Sequence, residues 1–340
     1  FAFNLIVITV FSAPALLIVK KFKHKYLLFF SIFFLIFSSY IYGSYKINQN
    51  KIIFKKAQIN NELINVKIIS PNFDLKYNLS SADIEELLKK LIKFSDPKKN
   101  QETIFVWPEG VFAGYDFSEL EKYQNLFKDK FDKNHTIIFG ISTSDSSKSV
   151  FNSMLAVNNK LQIINHYNKK KLVPFGEFLP FESILNKFGL KKITYGYGSF
   201  SKGLNQKNFI INNLNILPLI CYEIIFPELI QKVNFKSTLL INISEDAWFG
   251  DSIGPHQHFS KSIFRAIESD SFVLRSANKG ISAIVNNKGQ IIKSLKNNET
   301  GNIEYRLPIL EKKGGNKNDL IFFALLFTYC FIFLRYKKND

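Results

Sequence analysis

The stretch Ile216-Leu217-Pro218-Leu219-Ile220-Cys221-Tyr222-Glu223 decides how this chain is read. A short apolar run is the pattern of a strand buried on both faces. This one ends on a thiol beside an acid, and in open α/β sheets ligands gather beyond the carboxyl ends of the strands. A lone cysteine in an apolar run is more often a small core hydrophobe. Here it closes the strand ahead of a helix-like stretch, whose N-terminus is expected to lower the thiol pKa and favour thiolate.

Working outward, three more reactive points stand at strand ends. In Ile104-Phe105-Val106-Trp107-Pro108-Glu109-Gly110, Pro108 stops the strand and Glu109 is delivered just past it. Burial raises a carboxyl pKa there and suits it to general-base work; taken alone, Glu109 is equally an ordinary turn residue. In Tyr167-Asn168-Lys169-Lys170-Lys171-Leu172-Val173-Pro174-Phe175-Gly176-Glu177-Phe178, cations and a carboxylate flank an apolar turn. A buried lysine can hold a developing oxyanion, whereas a run of lysines by itself reads as a solvated face. In Asn242-Ile243-Ser244-Glu245-Asp246-Ala247-Trp248-Phe249-Gly250, a strand runs into an aromatic loop, either an active-site rim or a packed turn.

These points sit in a region, about 58–310, of alternating strands and helices. Leu63–Ser70, Thr103–Trp107, Thr136–Thr143, Val150–Val157, Ile216–Cys221 and Thr238–Ser244 are β-rich. Ser80 and Asp83 form a capping box ahead of Ile84, Leu87, Leu88, Leu91 and Ile92, which share one helical face. A second helix is expected from His258 to Arg275. The class is a layered α/β domain.

Both ends read as membrane. Residues 1–19 and 26–45 carry no charge, and 320–334 is a shorter apolar run before Arg335, Lys337 and Lys338. All three are expected to be transmembrane helices. The chain opens on Phe1 with no basic n-region, unlike a cleavable signal peptide, so it is expected to start partway through a longer multi-span protein. Cationic residues are densest at 20–25 and 335–340, which favours a cytoplasmic loop and tail and a periplasmic middle domain.

The 340 residues carry a formal net charge of +17, but only Arg265, Arg275, Arg306 and Arg335 are arginines. Nucleic-acid readers lean on arginine forks, so the lysine surplus points to anionic lipid head groups instead. Two cysteines, Cys221 and Cys330, make no disulfide framework, and there is no C-x-x-C, phosphate-binding loop or dinucleotide fingerprint.

Glu, Lys and Cys in that chain order, each after a strand, resemble the nitrilase (carbon–nitrogen hydrolase) superfamily. The strings "WPEG", "YNKKKLVPFGEF", "ICYEIIFPE", "DAWFG" and "GPHQH…RAIES…LRSANKGIS" look like the apolipoprotein N-acyltransferase family within it. The resemblance implies an α-β-β-α sandwich between membrane helices. Residue by residue, it implies that Glu109 is the general base, Lys169 the oxyanion lysine and Cys221 the nucleophile. Glu177 and Glu223 match supporting acids, and Tyr222 the residue between nucleophile and acid. Lys171 stands where the family often has His, Glu245 where it often has Asn, and Tyr77 where Trp is common.

The implied reaction moves an acyl chain from a phospholipid, through a Cys221 thioester, to the α-amine of the diacylglyceryl-cysteine of apolipoproteins at the bacterial inner membrane. No cofactor, metal or nucleic acid is implied, and a monomer is expected. The segment Tyr195–Ser201, with its glycines and aromatics, is expected to form a lid, with Phe178, Leu179 and Phe181 at the mouth; Tyr77, Phe178, Tyr195, Tyr197 and Trp248 are substrate-contact candidates. Two rivals stand beside this reading. One is a membrane-tethered amidase with the same triad. The other is a serine acyltransferase or lipase using Ser252 in Gly250-Asp251-Ser252-Ile253-Gly254, although a nucleophile elbow joins strand directly to helix.

Overall fold

A computed structural model describes residues 2–18, 25–60, 62–76, 79–181, 199–204, 207–231, 239–309 and 318–337. The chain divides into two compact units, one of Phe1–Ile53 with Lys313–Asp340 and one of Phe54–Lys312.

The first unit is helical. Helix α1 (Ala2–Ser12) gives way to a 3-10 stretch over Ala13–Leu17. Over the described residues 2–17 the run is therefore no single straight α-helix: Pro14 removes a backbone donor where the helix tightens. The run 26–45 lies inside α2 (Lys25–Ile59), and 320–334 inside the helix Asn318–Lys337. Among the described residues, one helix, Phe29–Ile59, is long and apolar enough to cross a membrane.

The second unit stacks two six-stranded sheets. The first runs β12-β1-β2-β3-β4-β5, built from β1 (Leu63–Ser70), β2 (Thr103–Val106), β3 (His135–Ser144), β4 (Val150–Val157), β5 (Ile163–Asn168) and β12 (Gly301–Pro308). The second runs β11-β10-β9-β8-β7-β6, built from β6 (Phe209–Ile211), β7 (Leu214–Ile220), β8 (Leu239–Glu245), β9 (Phe272–Asn278), β10 (Ser282–Val285) and β11 (Ile291–Leu295). The central strands pair in parallel, β1 with β2 and β2 with β3 in one sheet, β7 with β8 and β8 with β9 in the other.

Strand periodicity sorts the core into layers, because successive side chains point to opposite faces. Ile104 and Val106 of β2 meet Ile216 and Ile220 of β7 and Ile241 and Ile243 of β8 between the sheets. Their neighbours Phe105 and Trp107 turn outward onto α3 (Ser81–Ser95), where Ile84, Leu88, Leu91 and Ile92 form the facing stripe. On the other side, Leu217, Leu219 and Leu240 pack against Phe259 and Ala266 of a helix over Gly254–Ser269. The result is helix, sheet, sheet, helix. The capping box at the start of α3 is present as the sequence indicates, with Ser80 and Asp83 exchanging hydrogen bonds.

The helix expected over 258–275 is displaced. It spans Gly254–Ser269, closes on Asp270 in the left-handed conformation, and Arg275 belongs to β9. Pro255 in the first turn favours the earlier start, and the left-handed cap ends the helix ahead of the apolar strand residues.

Candidate active site

The parallel strands carry their C-terminal ends to one edge of the sandwich, and the polar residues singled out in the sequence meet there. After β2, Trp107 continues the ladder by donating its N–H to the Ile138 carbonyl (2.8 Å). Trp107 is fully buried and its indole N–H reaches Ser95 Oγ (2.8 Å). That anchoring aims Glu109 back between the sheets, where it is 8% exposed. Gly110 follows with φ +81, a conformation a side chain disfavours, and an added Cβ would meet Glu245 Oε2 at 2.5 Å.

Of the three consecutive lysines, only Lys169 is buried. Its backbone N–H donates to the Asn152 carbonyl at 2.8 Å, extending the β4–β5 pairing by one residue and directing the side chain inward. Lys171 points away, pairing with Glu228 (3.0 Å). Lys169 Nζ donates to Glu177 Oε1 at 2.9 Å and Glu109 Oε1 at 3.5 Å. Burial pushes its ammonium pKa down, but Glu109 and Glu177 beside it outweigh that and hold it above the ordinary lysine value. It is a fixed cation.

Cys221 directly follows β7 and opens a 3-10 turn (Cys221–Ile225), with φ +49. Left-handed geometry at a non-glycine residue is uncommon and turns the side chain out of the strand's alternation. The expectation of a lowered thiol pKa is overturned. Burial and the neighbouring Glu109 push it up, against the opposing pull of Lys169. The five-residue 3-10 turn is no long α-helix with a developed dipole, so the resting sulfur is a thiol.

Glu177 and Glu223 hold this frame. Glu177 Oε1 accepts from Lys169 and from Asn152 Nδ2 (2.6 Å), and its Oε2 from the Val173 N–H (2.8 Å). Glu223 is wholly buried. Its Oε1 accepts from Tyr167 OH (2.8 Å), Lys170 N–H (2.7 Å) and Lys171 N–H (3.0 Å), and its Oε2 from Ile220 N–H (2.9 Å). Burial raises its pKa against those donors. Glu223 thus ties the segment after Lys169 to the strand that delivers Cys221.

Asn152 was not foreseen. Its Nδ2 donates to Glu109 Oε1 (2.7 Å) as well as to Glu177. A polar residue within the β-rich run Val150–Val157 was the available signal. Glu245, which stands where the family often has Asn, is buried inside the site: its backbone N–H donates to Glu109 Oε2 (3.1 Å), and its Oε2 accepts from Asn278 Nδ2 (2.8 Å).

Glu109, Lys169, Glu177 and Cys221 all face one cavity of about 450 Å³, a size usual for ligand sites. Tyr222 and Trp248 line it and are partly exposed. Phe178 does not; its carbonyl accepts from the Phe175 N–H (2.7 Å) in a local turn, and Phe200 lines the cavity instead. Leu179 is buried and Phe181 exposed. Tyr77, Tyr195 and Tyr197 lie outside the described residues. Ser252 is exposed and stands apart from the lining, its hydroxyl donating to the Phe249 carbonyl (2.7 Å). Strand β8 ends at Glu245 and a 3-10 turn intervenes, so Ser252 sits on no strand-to-helix elbow. Among the described residues no three His, Cys, Asp or Glu side chains are placed to hold a metal ion.

With this geometry in hand, the chain can be compared with known proteins. The carbon–nitrogen hydrolase family profile matches residues 72–309. The curated apolipoprotein N-acyltransferase of Rhizobium leguminosarum bv. trifolii is 34% identical over 250 residues, covering 70% of this chain and 47% of that protein. The protein of the same name from Rickettsia prowazekii is 29% identical over 348 residues, covering 98% of this chain and 66% of its own length. The chain thus spans about half to two thirds of these relatives. Among solved structures, an amidase from Nesterenkonia sp. superposes with a TM-score of 0.53 at 14% identity, over 72% of this chain and 90% of that one. Nit3 of Saccharomyces cerevisiae, a nitrilase-superfamily member, gives 0.51 at 17% identity, over 73% and 90%.

Proposed function

We infer that this chain, which belongs to the carbon–nitrogen hydrolase family, is an N-acyltransferase working through a Cys221 thioester. The observation that carries the reading is the meeting of Cys221, Lys169 and Glu109 in one largely apolar cavity. The apolipoprotein N-acyltransferase names of its relatives supply the substrate class.

In the first half-reaction, Glu109 takes the Cys221 proton as the sulfur attacks an ester carbonyl of a phospholipid. The resting thiol makes this proton transfer necessary. Lys169, a fixed cation, steadies the tetrahedral oxyanion in a water-poor setting where such stabilisation is strongest. The carbon–oxygen bond breaks, the lysophospholipid alkoxide takes the proton back from Glu109, and Cys221 retains the acyl group. In the second half-reaction, the α-amine of a diacylglyceryl-cysteine attacks the thioester. Its pKa near about 8 leaves a usable neutral fraction at pH 7. Its proton passes through Glu109 to the departing thiolate, and the amide leaves.

The apolar helix Phe29–Ile59 supports a membrane-associated enzyme, and the lysine distribution supports a multi-pass chain with this domain on the periplasmic side. The test is to incubate membranes containing the chain with acyl-labelled phospholipid and trap the enzyme thioester. A diacylglyceryl-cysteine peptide should discharge the label to its amine, and Cys221→Ala should carry none. Label on the Cys221→Ala protein ends the scheme; release as free fatty acid in preference to peptide amide turns it toward a hydrolase.

A further inference from the structure

The left-handed backbone at Cys221 has an unusual support. Its carbonyl oxygen accepts from two side chains, Asn242 Nδ2 at 3.3 Å and His258 Nε2 at 3.2 Å. Asn242 lies on β8 and also donates to the Leu219 carbonyl (3.1 Å). Its own amide oxygen accepts from Arg275 Nη1, which fixes which way the amide faces. Arg275 is fully buried; its Nη2 donates to Asp246 Oδ2 (2.7 Å) and faces His258 Nδ1 (3.1 Å).

The tautomer of His258 follows from its neighbours. A carbonyl only accepts, so Nε2 carries the hydrogen. Burial, then the Arg275 guanidinium, lowers the ring's pKa against the opposing pull of Asp246. Nδ1 faces two groups, Asp246 Oδ1 at 3.0 Å and Arg275 Nη2 at 3.1 Å. Asp246 Oδ1 takes a hydrogen from Ser244 Oγ (2.7 Å). The network is tightly enclosed: an added Cβ at Gly280 would clash with Asp246 Oδ2.

We propose that Asn242 and His258 are positioning residues that hold Cys221 in its left-handed conformation through the main-chain carbonyl, with Arg275 and Asp246 orienting both. The proposal rests on Cys221 being the nucleophile. An isolated chain relaxes out of this conformation; two directional donors hold the sulfur where Glu109 and Lys169 can act on it. In this scheme none of the four bonds to a reacting atom, although His258 also lines the cavity.

The experiment uses the full chain in membranes on a Cys330→Ser background, leaving one thiol. Asn242→Asp keeps the shape and can still pair with Arg275, but it cannot donate. His258→Leu removes the second donor and His258→Gln retains an N–H. Two rates are read: alkylation of Cys221 by iodoacetamide, and thioester formation from labelled phospholipid. Asn242→Asp and His258→Leu are expected to slow both at least about tenfold, with KM within about twofold, since small misplacements cost rate rather than binding. His258→Gln should recover to within about threefold of the parent. Parent-like alkylation in a folded Asn242→Asp protein overturns the proposal, as does a His258→Gln protein no faster than His258→Leu. If His258→Leu does not fold, Asn242→Asp decides. Alkylation needs no lipid, so the positioning role is judged even where the parent forms no thioester.

Discussion

Glu177 lies closer to the Lys169 ammonium than Glu109 does, 2.9 Å against 3.5 Å. The shorter pair is the lysine's main counter-charge, and the longer one leaves Glu109 the looser partner. Glu177→Gln should therefore let Lys169 bind Glu109 more tightly and weaken it as a base. Thioester formation is expected to fall about 10- to 100-fold, less than the roughly 100- to 10,000-fold that a general acid or base itself contributes, with the protein folded. An unchanged rate contradicts the division of labour.

Asn152 bridges the same two carboxylates. Asn152→Asp places a third carboxylate around one ammonium and removes both donors. Loss of thioester formation should exceed that of Asn152→Ala, which only removes the bridge. Initial rates for the two variants side by side provide the check; equal rates reject the electrostatic account.

Glu245 gives the site a pH signature. Burial, opposed by its hydrogen bonds to Asn278 and Ala247, raises its pKa to about 8 from 4.5. A carboxyl with a raised folded-state pKa binds its proton more tightly folded than unfolded. Its contribution to stability is full below pH 4.5, declines above it and is lost as pH rises through about 8. Glu245→Asn should remove that part of the slope. Urea midpoints at pH 5, 6.5 and 8 for both proteins measure it, and parallel profiles refute it.

Gly110→Ala combines a positive φ with a Cβ 2.5 Å from Glu245 Oε2. A destabilisation of about 2 kcal/mol or more is expected, from left-handed strain plus the clash. Adding Glu245→Ser should relieve the clash and leave the strain, so the double variant unfolds at higher denaturant than Gly110→Ala. Simple additivity excludes the contact as the cause.

Trp107→Ala should cost about 3–5 kcal/mol, the usual range for an aromatic removed from a packed core. It also leaves Ser95 without its indole donor. Because Trp107 precedes Glu109, activity in the surviving folded fraction should fall as well. Denaturant unfolding beside specific activity separates the two effects.

The strand ends, the α3 cap and the positions of Glu109 and Cys221 are legible in the chain because they are local signals, whereas Lys169 is singled out from its neighbours by the family resemblance alone. Each is a change from an apolar run to a reactive group within a few positions. The C-terminal strands β9 to β12 were not marked out, and Arg275 was placed in a helix. Helical and strand periodicities are hard to separate where a short apolar run directly follows an amphipathic one.

The sequence by itself determined the layered α/β class, the strands β1 to β4, β7 and β8, the capped face of α3 and the reactive residue types at strand ends. Local propensity and period-two or 3.6 patterning are written residue by residue. Only the tertiary structure decided that Lys169 rather than Lys170 or Lys171 turns inward, that Asn152 joins two carboxylates, and that the Cys221 thiol is pushed up rather than down. Those outcomes depend on pairing register and on charges brought together from distant strands. Burial then multiplies the effect of each neighbour, and burial is a property of the packed molecule rather than of any segment.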